Sequence, residues 1–178
     1  MSNFYVLEAV NLFCGDDDPT KSKYLTLTSL QLPTMEEVMA DHMPGGGVAG
    51  LSIGMGVLTA LEAGFNLNGT DPHMLSLFGL GTDGRQTFTA YGVLRDKKTS
   101  EEIEVKSVMH ALLGTVTPAE FTRGELQGYE YALREITHYE SHFDGVEKHY
   151  MDYFTNQWRV DGVSKFKKRN AILRIPGG

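Results

Sequence analysis

This 178-residue chain has a single cysteine, no long hydrophobic run and fewer basic than acidic residues. Cys14 has no second cysteine with which to form an internal disulfide, which fits synthesis in a reducing cytoplasm. No apolar stretch approaches the roughly 20 residues of a membrane-spanning helix. Residues 1–5 also lack the basic and apolar segments that begin a secretory signal. We therefore expect no membrane segment and no disulfide framework.

The net charge is −7 and is unevenly distributed. From Asp161 onward, five basic residues stand against one acidic residue, so this tail carries +4 and the remainder −11. An acidic surface does not hold nucleic acid, because phosphate binding requires clustered Lys and Arg. The basic tail is either a solvated segment or a surface that contacts the acidic body of another subunit.

Alternation of apolar and polar residues with a period of two dominates the chain and predicts β-strands. The clearest runs are Thr87–Leu94, Glu101–Leu112 and the stretch from about Leu126 to Phe143. Asp144–Gly145 predicts a tight hairpin turn, followed by a return strand from Val146 to near Trp158. Further strands are predicted at Tyr5–Cys14, Tyr24–Leu32 and Leu58–Asn68, the first two joined by the turn Gly15–Pro19.

Three segments depart from this alternation. Pro33–Gly50 contains acidic residues, a proline and three consecutive glycines, and is long for a connection inside a compact β domain. Thr70–Asp71–Pro72 places a cap residue before proline and predicts a short helix that ends at Gly79 or Gly81. A second short helix is predicted from Ser164 to Asn170. Strands of this length with so few helices leave open sheet edges, so we expect self-association that closes them.

No catalytic constellation can be assembled from the sequence. Gly79–Gly84 matches the pattern G-x-G-x-x-G, but it follows a helix and precedes a strand, the reverse of a dinucleotide site. Cys14 lacks an activating base beside it. We predict that the chain is not an enzyme and uses no cofactor. The alternative is a monomeric β-barrel module that binds a ligand or metal through His138, Glu140 and His142, which share one face of a strand.

Three carboxylates alternate with apolar residues on the predicted strands, namely Glu62, Glu102 and Glu104. On a closed barrel, such a face points either to solvent or to a lumen. Carboxylates in a lumen would repel the phosphates of a passing DNA duplex. We regard these residues as lumen-facing candidates, with an ordinary outer surface as the open alternative.

Several short motifs occur in a distinctive order. Leu30–Pro33 precedes the acidic loop, and Met43–Gly46 lies within it. Leu77–Leu80 ends the predicted helix, and Phe88–Val108 follows as a hairpin. The most specific motif is Trp158–Val163, followed by a basic run to residue 170. In this order the chain resembles the major tail tube family of contractile-tailed phages and R-type pyocins, with departures at residues 16–19 and 175–178.

The resemblance implies a mainly β fold over residues 1–178, a single tail-tube domain. Two packed antiparallel sheets would form a barrel-like body with one short central helix and a short helix near the C-terminus. The loop at about 33–50 would reach the adjacent ring of a tube, with Glu36, Glu37, Asp41 and Met43 as ring-stacking candidates. The basic tail would lie between subunits, with Lys165, Lys167, Lys168 and Arg169 as its contact candidates.

The resemblance also implies a function. Hexameric rings would stack into the hollow inner tube of a contractile phage tail, through which DNA leaves without sequence-specific binding. The implied partners are further copies of the chain, the tail sheath, the tape-measure protein, and the baseplate and tail terminator proteins. The protein would be part of the virion tail, assembled in the host bacterial cytoplasm. The nearest alternative is the tube of a pyocin or another DNA-free contractile injection system.

Overall fold

The computed structural model describes residues 3–15, 18–81 and 84–175. Strands dominate these ranges, and a 3-10 turn at Pro19–Lys21 and two short helices complete the regular structure. The strands are β1 (Tyr5–Cys14), β2 (Leu27–Gln31), β3 (Glu37–His42), β4 (Leu51–Leu58), β5 (Ala63–Asn68), β6 (Arg85–Asp96), β7 (Glu102–Pro118), β8 (Gly128–Phe143), β9 (Val146–Asp152), β10 (Gln157–Val160) and β11 (Val163–Ser164). The helices are α1 (Pro72–Ser76) and α2 (Lys167–Leu173).

Nine of these strands form one antiparallel sheet, and β3 and β4 form a second. The path of the large sheet is β1-β6-β7-β8-β9-β10-β11, with β5 and then β2 added beside β8. The edge of β8 is divided, because residues 128–133 pair with β5 and residues 138–143 pair with β9. Between the two, Glu135 has a φ of 49°, and β7 carries two register shifts opposite it. These irregularities bend the sheet.

The bent sheet curls towards a barrel without closing. The backbone N–H of Lys23, in the turn before β2, donates to the carbonyl of Leu12 on β1 at 3.0 Å. In the part of the chain that the structure describes, β1 and β2 are nevertheless not paired as strands. The prediction of a mainly β, antiparallel fold with two short helices is confirmed. The barrel-like body is an open one, and the separate second sheet is only a hairpin.

The core lies inside the curl of the large sheet. On β7, Ser107, Met109, Ala111 and Leu113 are buried, which is the alternation that the sequence predicts. Phe65 stacks on Tyr131 with ring centroids 5.0 Å apart. The remaining buried apolar residues include Leu12, Cys14, Leu61, Leu67, Met74, Phe88, Leu133 and Tyr139.

Capping and turn residues explain where several elements begin and end. The Asp71 carboxylate accepts hydrogen bonds from the backbone N–H of His73 at 3.0 Å and of Met74 at 3.2 Å, as expected for the predicted helix start. The helix ends at Ser76, earlier than predicted. The predicted hairpin turn is confirmed, with φ of 51° at Asp144 and 71° at Gly145.

Three predicted strands are shorter or broken. The strand predicted at Leu58–Asn68 begins only at Ala63, so Glu62 lies just before β5 and not on a strand. The return strand from Val146 is interrupted after β9, because Asp152 accepts hydrogen bonds from the N–H and hydroxyl of Thr155, both at 2.8 Å, and closes a turn. β2 begins only at Leu27, since the carbonyl of Lys23 accepts from the backbone N–H of both Thr26 and Leu27. Three predicted features fall partly outside the described residues: the acidic turn at 16–17, the glycine motif at 82–83 and the C-terminal segment 176–178. No helix in the described ranges is long and apolar enough to cross a membrane.

Candidate assembly surfaces

The segment predicted as a loop forms half of an exposed β-hairpin. β3 pairs with β4, placing Met39 opposite Gly54 and His42 opposite Leu51. Every residue of β3 is exposed, and so is every residue of β4 except Leu58. The structure differs here from the prediction because β4, the strand that pairs with β3, lies beyond the predicted loop. We call this hairpin, residues 37–58, the arm.

The arm has two chemically different faces, because residues paired across strands share a face and neighbours alternate. The pairs Ala40–Ile53 and His42–Leu51 define one face, and the pairs Met39–Gly54 and Asp41–Ser52 the other. Large apolar side chains are exposed throughout the arm, namely Val38, Met39, Leu51, Ile53, Met55 and Val57. Exposed apolar side chains concentrated in one hairpin indicate an interaction site.

A glycine bulge and a carboxylate fix the base of the arm. Gly56 has a φ of 66°, and its N–H donates to the Glu37 carboxylate at 2.7 Å. A Cβ added at Gly54 would lie 2.6 Å from Glu37 Oε1, so glycine leaves room for that side chain. The carbonyl of Gly56 accepts a hydrogen bond from Arg169 Nη1 at 3.1 Å. Both backbone groups of Gly56 are thereby held, its N–H by β3 and its carbonyl by α2.

All four ring-stacking candidates lie on or beside the arm. Glu36 directly precedes β3, and its carbonyl accepts from the N–H of Thr59 at 2.8 Å, so the two ends of the arm meet. Glu37 turns back towards Gly56. Asp41 accepts from the Ser52 hydroxyl at 2.6 Å near the far end. Met43, beyond β3, is 82% exposed.

The basic candidates gather around α2. Lys165 precedes the helix, and Lys167, Lys168 and Arg169 lie in it, all with exposed side chains. A shallow groove of about 470 Å³ is lined by Lys165, Lys168, Arg169, Ile172 and Leu173. Of these, Ile172 is 71% exposed. The groove is therefore lined by both exposed apolar and cationic side chains.

Buried Asn170 anchors this helix to the body. Its side-chain amide donates to the backbone carbonyl of Asn156 at 2.9 Å and accepts from the Asn156 side chain at 2.7 Å. Asn170 is 1% exposed. Sequence reasoning did not single out Asn170 or Gly56. The glycines on either side of Met55 were a signal for the bulge. Asn170 gave no such signal, because an asparagine within a basic segment is expected to be exposed to solvent.

The lumen candidates do not form one cluster. Glu62 is ion-paired with Arg134, which lies opposite Leu112 of β7. Glu102 and Glu104 lie at the start of β7, ten and eight residues before Leu112, or about 33 and 26 Å along the strand at about 3.3 Å per residue. Glu102 is ion-paired with Arg95. Glu104 shows no ion pair within the described residues.

A row of polar side chains covers the outer face of β8, β9 and β10. His138 Nε2 is 2.9 Å from Glu140, and its Nδ1 is 3.3 Å from Asp152. Glu147 accepts two hydrogen bonds from Arg159, at 3.0 and 2.6 Å, and these lower the pKa of the Glu147 carboxyl.

The alternative metal hypothesis gains no support from this row. His138 and Glu140 hydrogen-bond to each other, and His142 Nε2 lies 3.9 Å from Glu140. Over residues 3–15, 18–81 and 84–175, no group of three or more His, Cys, Asp or Glu side chains is arranged to hold a metal ion.

The two features considered for catalysis have structural explanations. Cys14 is fully buried, and burial raises the pKa of its thiol to about 12. The glycine-rich motif lies between α1 and β6, so it leaves a helix and enters a strand. A phosphate-binding loop requires the opposite order.

Comparison with solved structures gives distant likenesses. One similar chain comes from the PVC sheath/tube terminator of an extracellular contractile injection system, in its extended state. It is 12% identical to this chain with a TM-score of 0.49, and the match covers 71% of this chain and 88% of that one. A chain of the PVC sheath-tube complex has 11% identity and a TM-score of 0.49, over 70% and 82%. Hcp1 from Salmonella typhimurium has 14% identity and a TM-score of 0.46, over 85% and 100%.

Comparison with curated protein sequences finds no match. Comparison with family models gives one that spans most of the chain, from residue 7 to residue 173, and is described as phage tail tube protein FII. The matched span includes the whole arm, the bent nine-stranded sheet from Leu7 onward, and α2. This family consists of structural, non-enzymatic tube subunits. The chain belongs to the phage tail tube protein FII family.

Proposed function

We propose that this protein is the subunit of the hollow inner tube of a contractile phage tail. Copies assemble into hexameric rings, and the rings stack into a tube through which DNA leaves the particle. The chain acts as one tail-tube domain over its whole length. The observation that carries this proposal is the arm: a hairpin exposed on both faces, in a chain of a tube-forming family.

Open edges in the large sheet support assembly as well. β1 and β2 are edge strands whose outer backbone groups are not paired in a ladder within the described residues. Unpaired edges of this length favour pairing with another chain. A ring of subunits satisfies these edges while keeping the apolar arm out of water.

Negative-stain electron microscopy of the purified protein tests this function. We expect tubes or stacked rings from the wild-type chain. Since Glu36 and Thr59 are joined by a hydrogen bond, residues 37–58 can be replaced by a two-residue Gly-Ser linker without pulling the body apart. This variant should unfold cooperatively and form no long tubes. Normal tubes from the arm-deleted chain would contradict the role of the arm.

A matched pair of point variants separates the arm from exposed strands in general. Ile53 on the arm is 43% exposed, and Val146 beside the hairpin turn is 54% exposed. Ile53→Lys should abolish tubes, because it places a charge in the apolar contact surface. Val146→Lys makes the same kind of change elsewhere and should leave tubes unchanged. Equal effects from the two variants would argue against an arm-specific contact.

For the lumen, we propose Glu104 as the strongest of the three carboxylate candidates. Glu62 and Glu102 are each paired with an arginine, so much of their negative charge is compensated within the subunit. A tube reconstruction at side-chain resolution should place Glu104 on the inner wall. Finding it on the outer wall would remove this assignment.

The proposed partners follow from the position of a tube inside a contractile tail. The sheath surrounds it, the tape-measure protein fills it before DNA enters, and the baseplate and terminator proteins meet its two ends. Two of the distantly similar structures are titled as a sheath-tube complex and a sheath/tube terminator. Immunogold labelling of DNA-filled virions whose sheath has been stripped off, with antibody to this chain, should mark the uncovered tube. Labelling confined to DNA-free particles would instead support the tube of a pyocin-like system.

A further inference from the structure

The acidic arm and the basic groove on α2 are chemically complementary. The sequence has no Lys or Arg between Lys23 and Arg85, so the arm lies in a long stretch without lysine or arginine. Glu36, Glu37 and Asp41 are the carboxylates in or beside the arm. The C-terminal groove, by contrast, collects Lys165, Lys168 and Arg169.

The apolar parts of the two surfaces match as well. On the face of the arm that carries Asp41, Met39 is 56% exposed. In the groove, Ile172 is 71% and Leu173 57% exposed. Thioether side chains adapt to irregular apolar surfaces. The arm face thus offers Met39 beside negative charge, and the groove offers Ile172 and Leu173 beside positive charge.

Within one subunit, α2 touches its own arm at the base. Arg169 donates to the carbonyl of Gly56, where the arm joins the body. From Gly56 the strand continues four residues to Ser52, the partner of Asp41, or about 13 Å at about 3.3 Å per residue. The face that carries Met39 and Asp41 therefore lies beyond this contact and remains available to a second molecule.

We propose that the arm of one copy lies on the α2 groove of a neighbouring copy. Met39 packs against Ile172, and the carboxylates of Glu36 and Asp41 lie among Lys165 and Lys168. Such a contact joins two different surfaces of the same chain, so it propagates into rings or helical arrays rather than closing a two-fold dimer. The inference rests on the proposed tube function and names the surface that receives the arm.

Charge-reversal variants test this pairing. The groove variant carries Lys165→Glu and Lys168→Glu, and the arm variant carries Glu36→Lys and Asp41→Lys. All four side chains are exposed, so the fold should persist. Each variant alone should lose tube formation at low salt, since like charges then meet. A chain with all four changes should recover tubes, and so should a mixture of the two variants, because opposite charges meet again.

Reversals at Lys98 and Arg123 provide the matched control. Both side chains are exposed and lie outside the arm and α2, so the pair Lys98→Glu and Arg123→Glu should form tubes as the wild type does. Tubes from the groove variant would overturn the proposed contact while leaving the tube function standing. Loss of tubes without recovery in the four-fold variant would show that the groove receives something other than the arm. Absence of tubes from the wild type itself would overturn the function.

A cross-link provides a second readout that does not depend on tube formation. Cys14 is buried, so introduced thiols are the reactive ones among the described residues. Met39→Cys chains are mixed with Ile172→Cys chains that carry a mass tag, and the mixture is oxidised. We expect a mixed disulfide dimer that is abolished by the groove variant. The control is a mixture of Met39→Cys chains with tagged Val146→Cys chains. If this control gives as much mixed dimer as the test mixture does, the proposed contact is refuted.

Discussion

The ion pair between Lys23 and Asp71 offers the most informative stability experiment. The Lys23 ammonium lies 2.6 Å from Asp71, with side-chain exposures of 8% and 19%. Asp71 also caps α1, and the Lys23 backbone bonds to Leu12 on β1. One salt bridge thus ties the central helix to the place where the sheet curls on itself.

Asp71→Ala should destabilise the fold strongly. Removing one partner of a buried ion pair costs about 3–5 kcal/mol, because the other charge stays buried without compensation. Since Asp71 is partly exposed, we take the lower end, about 3 kcal/mol. For a chain of this length, about 3 °C in Tm per kcal/mol then gives a loss of about 9 °C. Urea unfolding of dilute, unassembled protein measures the free energy directly.

A double variant tests the physical reason for this loss. If the cause is the buried lysine left without its ion-pair partner, the double variant Lys23→Met/Asp71→Ala should be more stable than Asp71→Ala alone. Asp71→Asn, which keeps a capping side chain, should lose less than Asp71→Ala. A double variant as unstable as the sum of the two single variants would refute the reasoning.

The protonation of Asp71 adds a dependence on pH. Burial opposes its ionisation, but hydrogen bonds from Lys23 and from the N–H groups of Met74 and His73 outweigh it and lower the pKa of the carboxyl. The stabilisation is therefore complete above the ordinary value of 3.8 and is lost as the pH falls through the lower, folded value. The gap between the wild type and Asp71→Ala should narrow at such low pH.

Three further predictions concern buried and paired groups. Cys14, whose thiol pKa burial raises to about 12, should react with iodoacetamide at pH 8 only after unfolding, and a reaction rate independent of denaturant would contradict this. The Tyr131 hydroxyl is buried without a hydrogen-bond partner in the described structure, so Tyr131→Phe should raise the free energy of unfolding measured in urea by about 1 kcal/mol rather than lower it. Hydrogen bonds from Arg159 lower the pKa of Glu147, so their contribution is lost as the pH falls below the ordinary value of 4.5. Between pH 6 and pH 3, Glu147→Gln should therefore lose less stability than the wild type.

Local patterns in the sequence predicted much of the fold. Alternation located β1, β6 and β8 closely, and the dipeptide Asp144–Gly145 located the turn between β8 and β9. These features depend on neighbouring residues, so periodicity and turn chemistry are sufficient to find them. The cap at Asp71 was found in the same way.

Features that depend on distant residues were not predictable in this way. β3 alone has no helical or strand signature strong enough to stand out beside Pro44 and three glycines, and its partner β4 lies across that irregular turn. The divided edge of β8 depends on Glu135, where nothing in the local sequence marks a kink. The arginine partners of Glu62 and Glu102 come from other strands, so pairing could not be inferred from their own alternation.

The exposure of the arm has a consequence for the timing of assembly. A two-stranded hairpin without a partner is only marginally stable in water. When a free subunit first contacts another copy, its arm therefore loses conformational entropy. The free-energy cost is about 1–2 kcal/mol for each backbone residue that is fixed. To start a new tube, several arms must become ordered before any contact surface is complete. A subunit that adds to an existing tube end meets a contact surface that is already ordered. Growth from a template is thus faster than spontaneous initiation, so at low concentration subunits stay unassembled until a starting platform is present, and at high concentration they start tubes by themselves.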